Sequence, residues 1–177
     1  MSTNLLFVTA KLSVKRVNDF LTKAPEVERA ILPDSIFFLV EDSHVPYEKI
    51  FNETSTEPPV SDFQSGFIGA SDDDLWKQLE SYSDAERKQD HAGTLHEEII
   101  VVLDKESEKD DTVSMLYRKQ DGEKTKWRAP FRFAVPIIMQ MPFDDEEPWL
   151  NGVDDDGAIR MTEVYKALDV DWTHGDS

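Results

Sequence analysis

Cysteine is missing from this 177-residue chain, which removes disulfide scaffolds, thiolate zinc sites and cysteine nucleophiles together. Glycine is sparse: the seven glycines are scattered, and none forms the GxGxxG of a dinucleotide site or the GxSxG of a hydrolase nucleophile elbow. No apolar run approaches the roughly 20 residues that cross a bilayer. The short run at 4–8 has no basic residue before it and Lys11 close behind, which is not the layout of a secretory signal. Positive charge is also in short supply, with 19 Lys plus Arg against 37 Asp plus Glu and a net charge of −18. Such an excess of acid argues against nucleic acid or an anionic membrane as the main partner. A soluble, cytoplasmic protein is expected.

What is present is enough for a core. Hydrophobic residues make up 39% of the chain and aromatics 10%, and a chain of this length buries roughly 70% of its unfolded surface without a staple. A single domain over 1–177 is expected.

The periodicities suggest an α/β domain. Asn4 to Ala10 reads as a strand. Ser13 caps a helix whose apolar face is Val14, Val17, Phe20 and Leu21, with Leu12 and Val17 placed for a hydrophobic staple. Pro25 either stops that helix or starts a short second one at 26–32 from its first position. Ile36 to Val40 and Ile99 to Leu103 are unbroken apolar runs, which need cover on both faces, and they are expected as adjacent, parallel central strands. Residues 52–69, with Glu-Thr-Ser-Thr-Glu-Pro-Pro at 53–59, read as a long surface loop or lid. Ser71 caps a further helix with Asp74 in capping-box position and Asp72 to Asp74 in the first turn, where the helix dipole favours acids. Its buried stripe is Leu75, Trp76, Leu79 and Tyr82. Thr112–Lys119 and Glu123–Arg128 flank Asp121-Gly122, a strong hairpin signal. Thr162 to Leu168 reads as a last short helix and 169–177 as a frayed tail. The expected fold is therefore a three-layer α/β domain, with a short, mainly parallel sheet, an antiparallel hairpin and helices on both faces.

Arg128-Ala-Pro-Phe, Met141-Pro-Phe-Asp-Asp-Glu-Glu and Val153-Asp-Asp-Asp-Gly-Ala-Ile-Arg160 follow a buried strand and a hairpin. In this C-terminal half the chain resembles a bacterial and fungal family of unknown function, whose members carry an Asn-Met-Asp-Phe-Glu-Glu-type segment and an Asp-rich Gly-aliphatic-Arg close. Pro142 stands where that family usually has a carboxylate. The resemblance implies an α/β domain and carries no activity with it.

Three groups of residues are candidates for chemistry. Gly152 to Glu163 follows the spacing of a calcium-binding EF-hand loop, with Asp154, Asp156 and Glu163 at ligand positions and Gly157 at the sharp turn. Gly152, however, occupies the first ligand position, which needs a carboxylate, and Pro148 spoils an incoming helix. No metal is therefore expected, and no cofactor.

The second group is titratable. Ligands of open sheets bind at the carboxyl ends of parallel strands, which points to Thr9 and Lys11, to Glu41, Asp42 and His44, and to Asp104 and Lys105. His96 beside Glu97 and Glu98 is further acid–base material. The third group is electrostatic. Residues 118–132 hold six bases against two acids, and Arg118, Lys126, Arg128 and Arg132 are candidates to bind an anion. Residues 141–177 hold eleven acids against two bases, half of the whole excess. Asp144, Asp145, Glu146 and Glu147 are the candidates to bind a basic protein partner.

Two classes of function follow, and the sequence leaves open whether the protein is an enzyme and what its oligomeric state is. The preferred reading is a non-catalytic interaction or regulatory module that binds a basic partner through its acidic C-terminal face. The alternative is a small acid–base enzyme, a lyase, isomerase or hydrolase. Its site would lie at the strand ends under the 52–69 loop and use His44, His96, Glu41, Asp42 or Asp104.

Overall fold

The structure is a computed structural model that describes residues 2–26, 36–91 and 93–140. Within these, the chain forms β1 (Thr3–Val8), α1 (Val14–Lys23), β2 (Phe37–Leu39), α2 (Tyr47–Glu53), α3 (Asp72–Lys88), β3 (Leu95–Leu103), β4 (Thr112–Arg118), β5 (Lys124–Pro130) and α4 (Ala134–Gln140). Short 3₁₀ turns occupy Glu106–Glu108 and Phe131–Phe133. The alternative second helix at 26–32 falls almost wholly outside the described residues, as do the helix expected at 162–168 and the tail at 169–177.

The five strands form one mixed sheet in the order β2-β1-β3-β4-β5. β1 pairs in parallel with β2 and with β3, while β3–β4 and β4–β5 are antiparallel. The α/β class and the hairpin are as expected. The placing of the two apolar runs is not: β2 lies at the sheet edge and β1 separates it from β3. The physical reason is that Leu5, Leu6, Phe7 and Val8 are themselves fully buried, so β1 has a stronger claim to the centre than its short run suggests. β2 is nevertheless buried along its whole length. Its open edge is closed by Thr56, whose backbone N–H donates to Phe37 O at 2.7 Å and whose Oγ1 accepts from Leu39 N at 2.9 Å.

Alternation along β1 divides the core. Leu6 and Val8 join Val17, Phe20 and Leu21 of α1 together with Phe131 and Phe133. Leu5 and Phe7 join Ile50 of α2 and Leu75, Trp76 and Leu79 of α3. Both predicted N-caps form, Ser13 Oγ accepting from Arg16 N at 3.2 Å and Ser71 completing a capping box with Asp74. α2 was hidden in the sequence by its length of seven residues and by Pro46 at its entry. Pro136 lies in the first turn of α4, where a missing N–H leaves no carbonyl unpaired. Among the described residues no helix is long and apolar enough to cross a membrane.

Candidate functional site

The carboxyl ends of β1, β2 and β3 converge, because these three strands are parallel. Here the 52–69 segment crosses the strand ends, and it is fastened rather than free. Ser65 Oγ donates to Val8 O, Gly66 N donates to Glu41 O at 2.8 Å, and Gly69 N donates to Thr9 O at 2.8 Å. Further back, Asn18 and Val60 exchange two hydrogen bonds of 2.7 and 3.0 Å. A Cβ on Gly66 would lie 2.7 Å from Asp42 Cβ, so only glycine allows this close approach.

Between the β1–α1 turn and this segment opens a cleft of about 480 Å³. Its walls are Val8, Ala10, Leu12, Phe63 and Ile68, with Lys11, Gln64 and Ser65 as the polar members. None of the five expected catalytic residues lines it. Glu41, Asp42 and His44 sit exposed on the turn after β2, with Asp42 Oδ1 accepting from His44 N at 2.7 Å and Glu41 facing Lys49 at 3.8 Å. Asp104 directly follows β3, but Arg128 Nη1 (2.6 Å) and Ser114 Oγ (2.8 Å) donate to its Oδ2, and Glu106 N (3.0 Å) and Ser107 N (3.2 Å) donate to its Oδ1. Burial alone would raise this carboxyl's pKa. The hydrogen bonds from Arg128 and Ser114 and the guanidinium charge outweigh that and hold it below the ordinary carboxylate value.

His96 belongs to the opposite end of the sheet, one residue into β3, with Nδ1 2.9 Å from Asn4 Oδ1. Burial pushes its pKa down, because the charged ring is poorly solvated there. The structure therefore does not bring the expected acids and histidines into one constellation. Among the described residues no group of three or more His, Asp or Glu could hold a metal ion. Asp154, Asp156 and Glu163 lie outside the described residues, as do Asp144, Asp145, Glu146 and Glu147.

The basic hairpin is compensated from within the fold. Arg118 faces Glu80 at 3.1 Å and donates to Glu97 O at 2.9 Å, with its guanidinium 5.1 Å from the Trp76 ring centre. Lys126 faces Asp72 at 3.0 Å, Lys124 faces Asp73 at 3.8 Å, and Arg128 holds Asp104. Arg132 is exposed and lies over the Phe133 ring at 4.9 Å. The acids of the α3 first turn thus serve both the helix dipole and the hairpin lysines.

Two polar anchors were missed from the sequence. Arg16 reaches from α1 to Asp111 at 2.6 Å and to the carbonyls of Ser107 and Asp110, while the buried Glu86 accepts from Thr94 N at 2.6 Å and Leu95 N at 3.2 Å. The Arg16 contacts join residues more than ninety positions apart and the Glu86 contacts cross the turn between α3 and β3, and nothing in residue spacing announces either. Comparison with family models, with curated proteins and with solved structures gives no match for this chain.

Proposed function

We propose that this protein is a non-catalytic interaction module that binds a basic protein partner through Asp144, Asp145, Glu146 and Glu147 of its acidic C-terminal region. The observation that carries the reading is the charge pairing of the hairpin. Arg118, Lys126 and Arg128 have Glu80, Asp72 and Asp104 as counter-charges. The C-terminal acids are then not required to neutralise the chain's main basic segment, and their charge is left for a partner. The acid–base alternative has less support, since Asp104 is engaged by Arg128 and no acid or histidine among the described residues lines the strand-end cleft. In the same reading the domain is three-layered, supported by the division of the core into one cluster with α1 and another with α2 and α3.

The test is association of the full chain with a Lys- and Arg-rich peptide, followed by stopped-flow fluorescence. The on-rate should fall steeply as salt shortens the Debye length from about 10 Å at 0.1 M to about 3 Å at 1 M. Neutralising the four acids (D144N, D145N, E146Q, E147Q) should slow association, with the circular dichroism spectrum unchanged. Neutralising the exposed acids Glu41, Asp42, Glu53 and Glu57 should slow it much less. Equal slowing by both sets would mean that net charge alone acts, and would overturn the reading.

A further inference from the structure

We propose that the cleft beside the carboxyl end of β1 binds a small ligand with an apolar body and a single anionic group, the body lying against Ile68 and Phe63 and the anion on Lys11. This goes beyond the interaction reading and does not rest on it.

Three observations meet at this place. The first is topological. β1 lies between β2 and β3, so the chain leaves its carboxyl end towards one neighbour and returns on the other side. In open sheets with parallel strands, the crevice outside the carboxyl ends at such a reversal is where ligands bind. The cleft's volume of about 480 Å³ falls within the usual range of small-molecule sites, roughly 300–1,000 Å³.

The second observation is Ile68. Only two large hydrophobic residues are exposed among the described residues, Phe51 at 37% and Ile68 at 58%. Phe51 has a partner, since its ring stacks on His91 with centres 3.9 Å apart. Ile68 is held out instead. The backbone bonds of Gly66 to Glu41 and of Gly69 to Thr9 fix the chain on either side, while Phe67 turns inward against Phe7. A fixed segment that keeps an isoleucine facing a cleft is preorganised, so a ligand that covers it incurs little ordering cost.

The third observation sets the ligand's polarity. Among the described residues Lys11 is the one charged member of the lining, and it makes no ion pair with any of them. In a chain with a net charge of −18, a wall that holds a cation and no carboxylate suits one negative group rather than several. Gln64 adds an amide donor beside it.

The probe pair is anilinonaphthalene sulfonate, an apolar bicycle with one sulfonate, and uncharged N-phenylnaphthylamine, each titrated by fluorescence into the full chain. Both should bind saturably with one site per chain. Ile68→Asp should weaken both by about tenfold or more, the scale of one buried isoleucine side chain, and the exposure of Ile68 leaves the fold intact by circular dichroism. Lys11→Gln should weaken only the sulfonate. Amide chemical-shift changes should centre on residues 10–12 and 63–68. Failure of both probes to bind, or binding indifferent to Ile68→Asp, would overturn the site. Equal weakening of both probes by Lys11→Gln would overturn the anionic part.

Discussion

Arg128 Nη1 lies 2.6 Å from Asp104 Oδ2 at the carboxyl end of β3. The contact turns an acid in a favourable catalytic position into a structural counter-charge. The β4–β5 register sets Arg128 opposite Ser114, and both side chains reach the same carboxylate oxygen. The remaining donors of Arg128 go to Thr112 Oγ1, Thr112 O and Ser107 Oγ. Strand end, 3₁₀ turn and hairpin are thereby tied by one guanidinium.

Replacing Arg128 with Gln should cost about 2 kcal/mol at pH 7, since a carboxylate only about one-fifth exposed loses its charged partner. The pH dependence has a definite sign. The folded pKa of Asp104 is lowered from its ordinary value of 3.8, so its contribution is present above that value. It is lost as the pH falls through the lower, folded value. Urea midpoints at pH 7 and in the acid limb should therefore converge between wild type and Arg128→Gln as the pH drops. A gap that stays constant into strong acid would contradict the pairing.

His96 should act in the opposite sense to a salt-bridged histidine. Burial lowers its folded pKa below 6.5, so the unfolded chain takes up the proton first. Stability then falls as the pH drops below about 6.5 and levels off beneath the folded value. Its neutral ring donates from Nδ1 to Asn4 Oδ1. Ring-proton NMR titration of His96 should give a midpoint below those of exposed histidines, and His96→Gln should flatten the stability slope between pH 7 and pH 5. A midpoint above 6.5 would refute the desolvation argument.

Gly66→Ala tests whether the 52–69 segment is fastened. The new Cβ would meet Asp42 Cβ at 2.7 Å and Asp42 Cα at 3.1 Å, neither of them a movable side-chain tip. The segment must shift away, which strains the 2.8 Å bond from Gly66 N to Glu41 O. A cost of about 1–3 kcal/mol is expected, a drop in Tm of several degrees by calorimetry. An unchanged Tm would show that the segment yields freely.

The elements that the sequence revealed are those whose physics is local. The Ser13 and Ser71 caps, the stripe of α3 and the Asp121-Gly122 turn each rest on residues within a few positions of one another, and all four are in the structure. Strand order is different, because Phe37, Phe38 and Leu39 look alike whether a strand is central or an edge sealed by Thr56, seventeen residues beyond Leu39. The candidate site was legible in outline only. The strand-end rule located the cleft through Lys11 and the 52–69 segment, but Ile68 and Phe63 carried no signal in a stretch read as loop. Asp104 looked available because its partner, Arg128, is twenty-four residues away and across two strands.

The Thr56 contact makes the final prediction. β2 has only three residues and a single strand neighbour, and an edge of this kind invites pairing with another chain unless something covers it. Thr56 covers it twice, through its N–H on Phe37 O and its Oγ1 under Leu39 N. Thr56→Val keeps the first bond and the side-chain shape but leaves the Leu39 N–H unpaired beside a buried side chain, at a cost of about 1–2 kcal/mol. Thr56→Ser restores the acceptor and should recover most of it. In hydrogen exchange the Leu39 amide should lose protection in the valine variant and regain it in the serine variant. The amides of Val101 and Val102, central in the sheet, should stay protected in both. The valine variant should also aggregate faster on warming, with light scattering rising before the loss of far-UV ellipticity. If Leu39 keeps wild-type protection in Thr56→Val, the edge is closed by some other group, and the burial of β2 needs a different explanation.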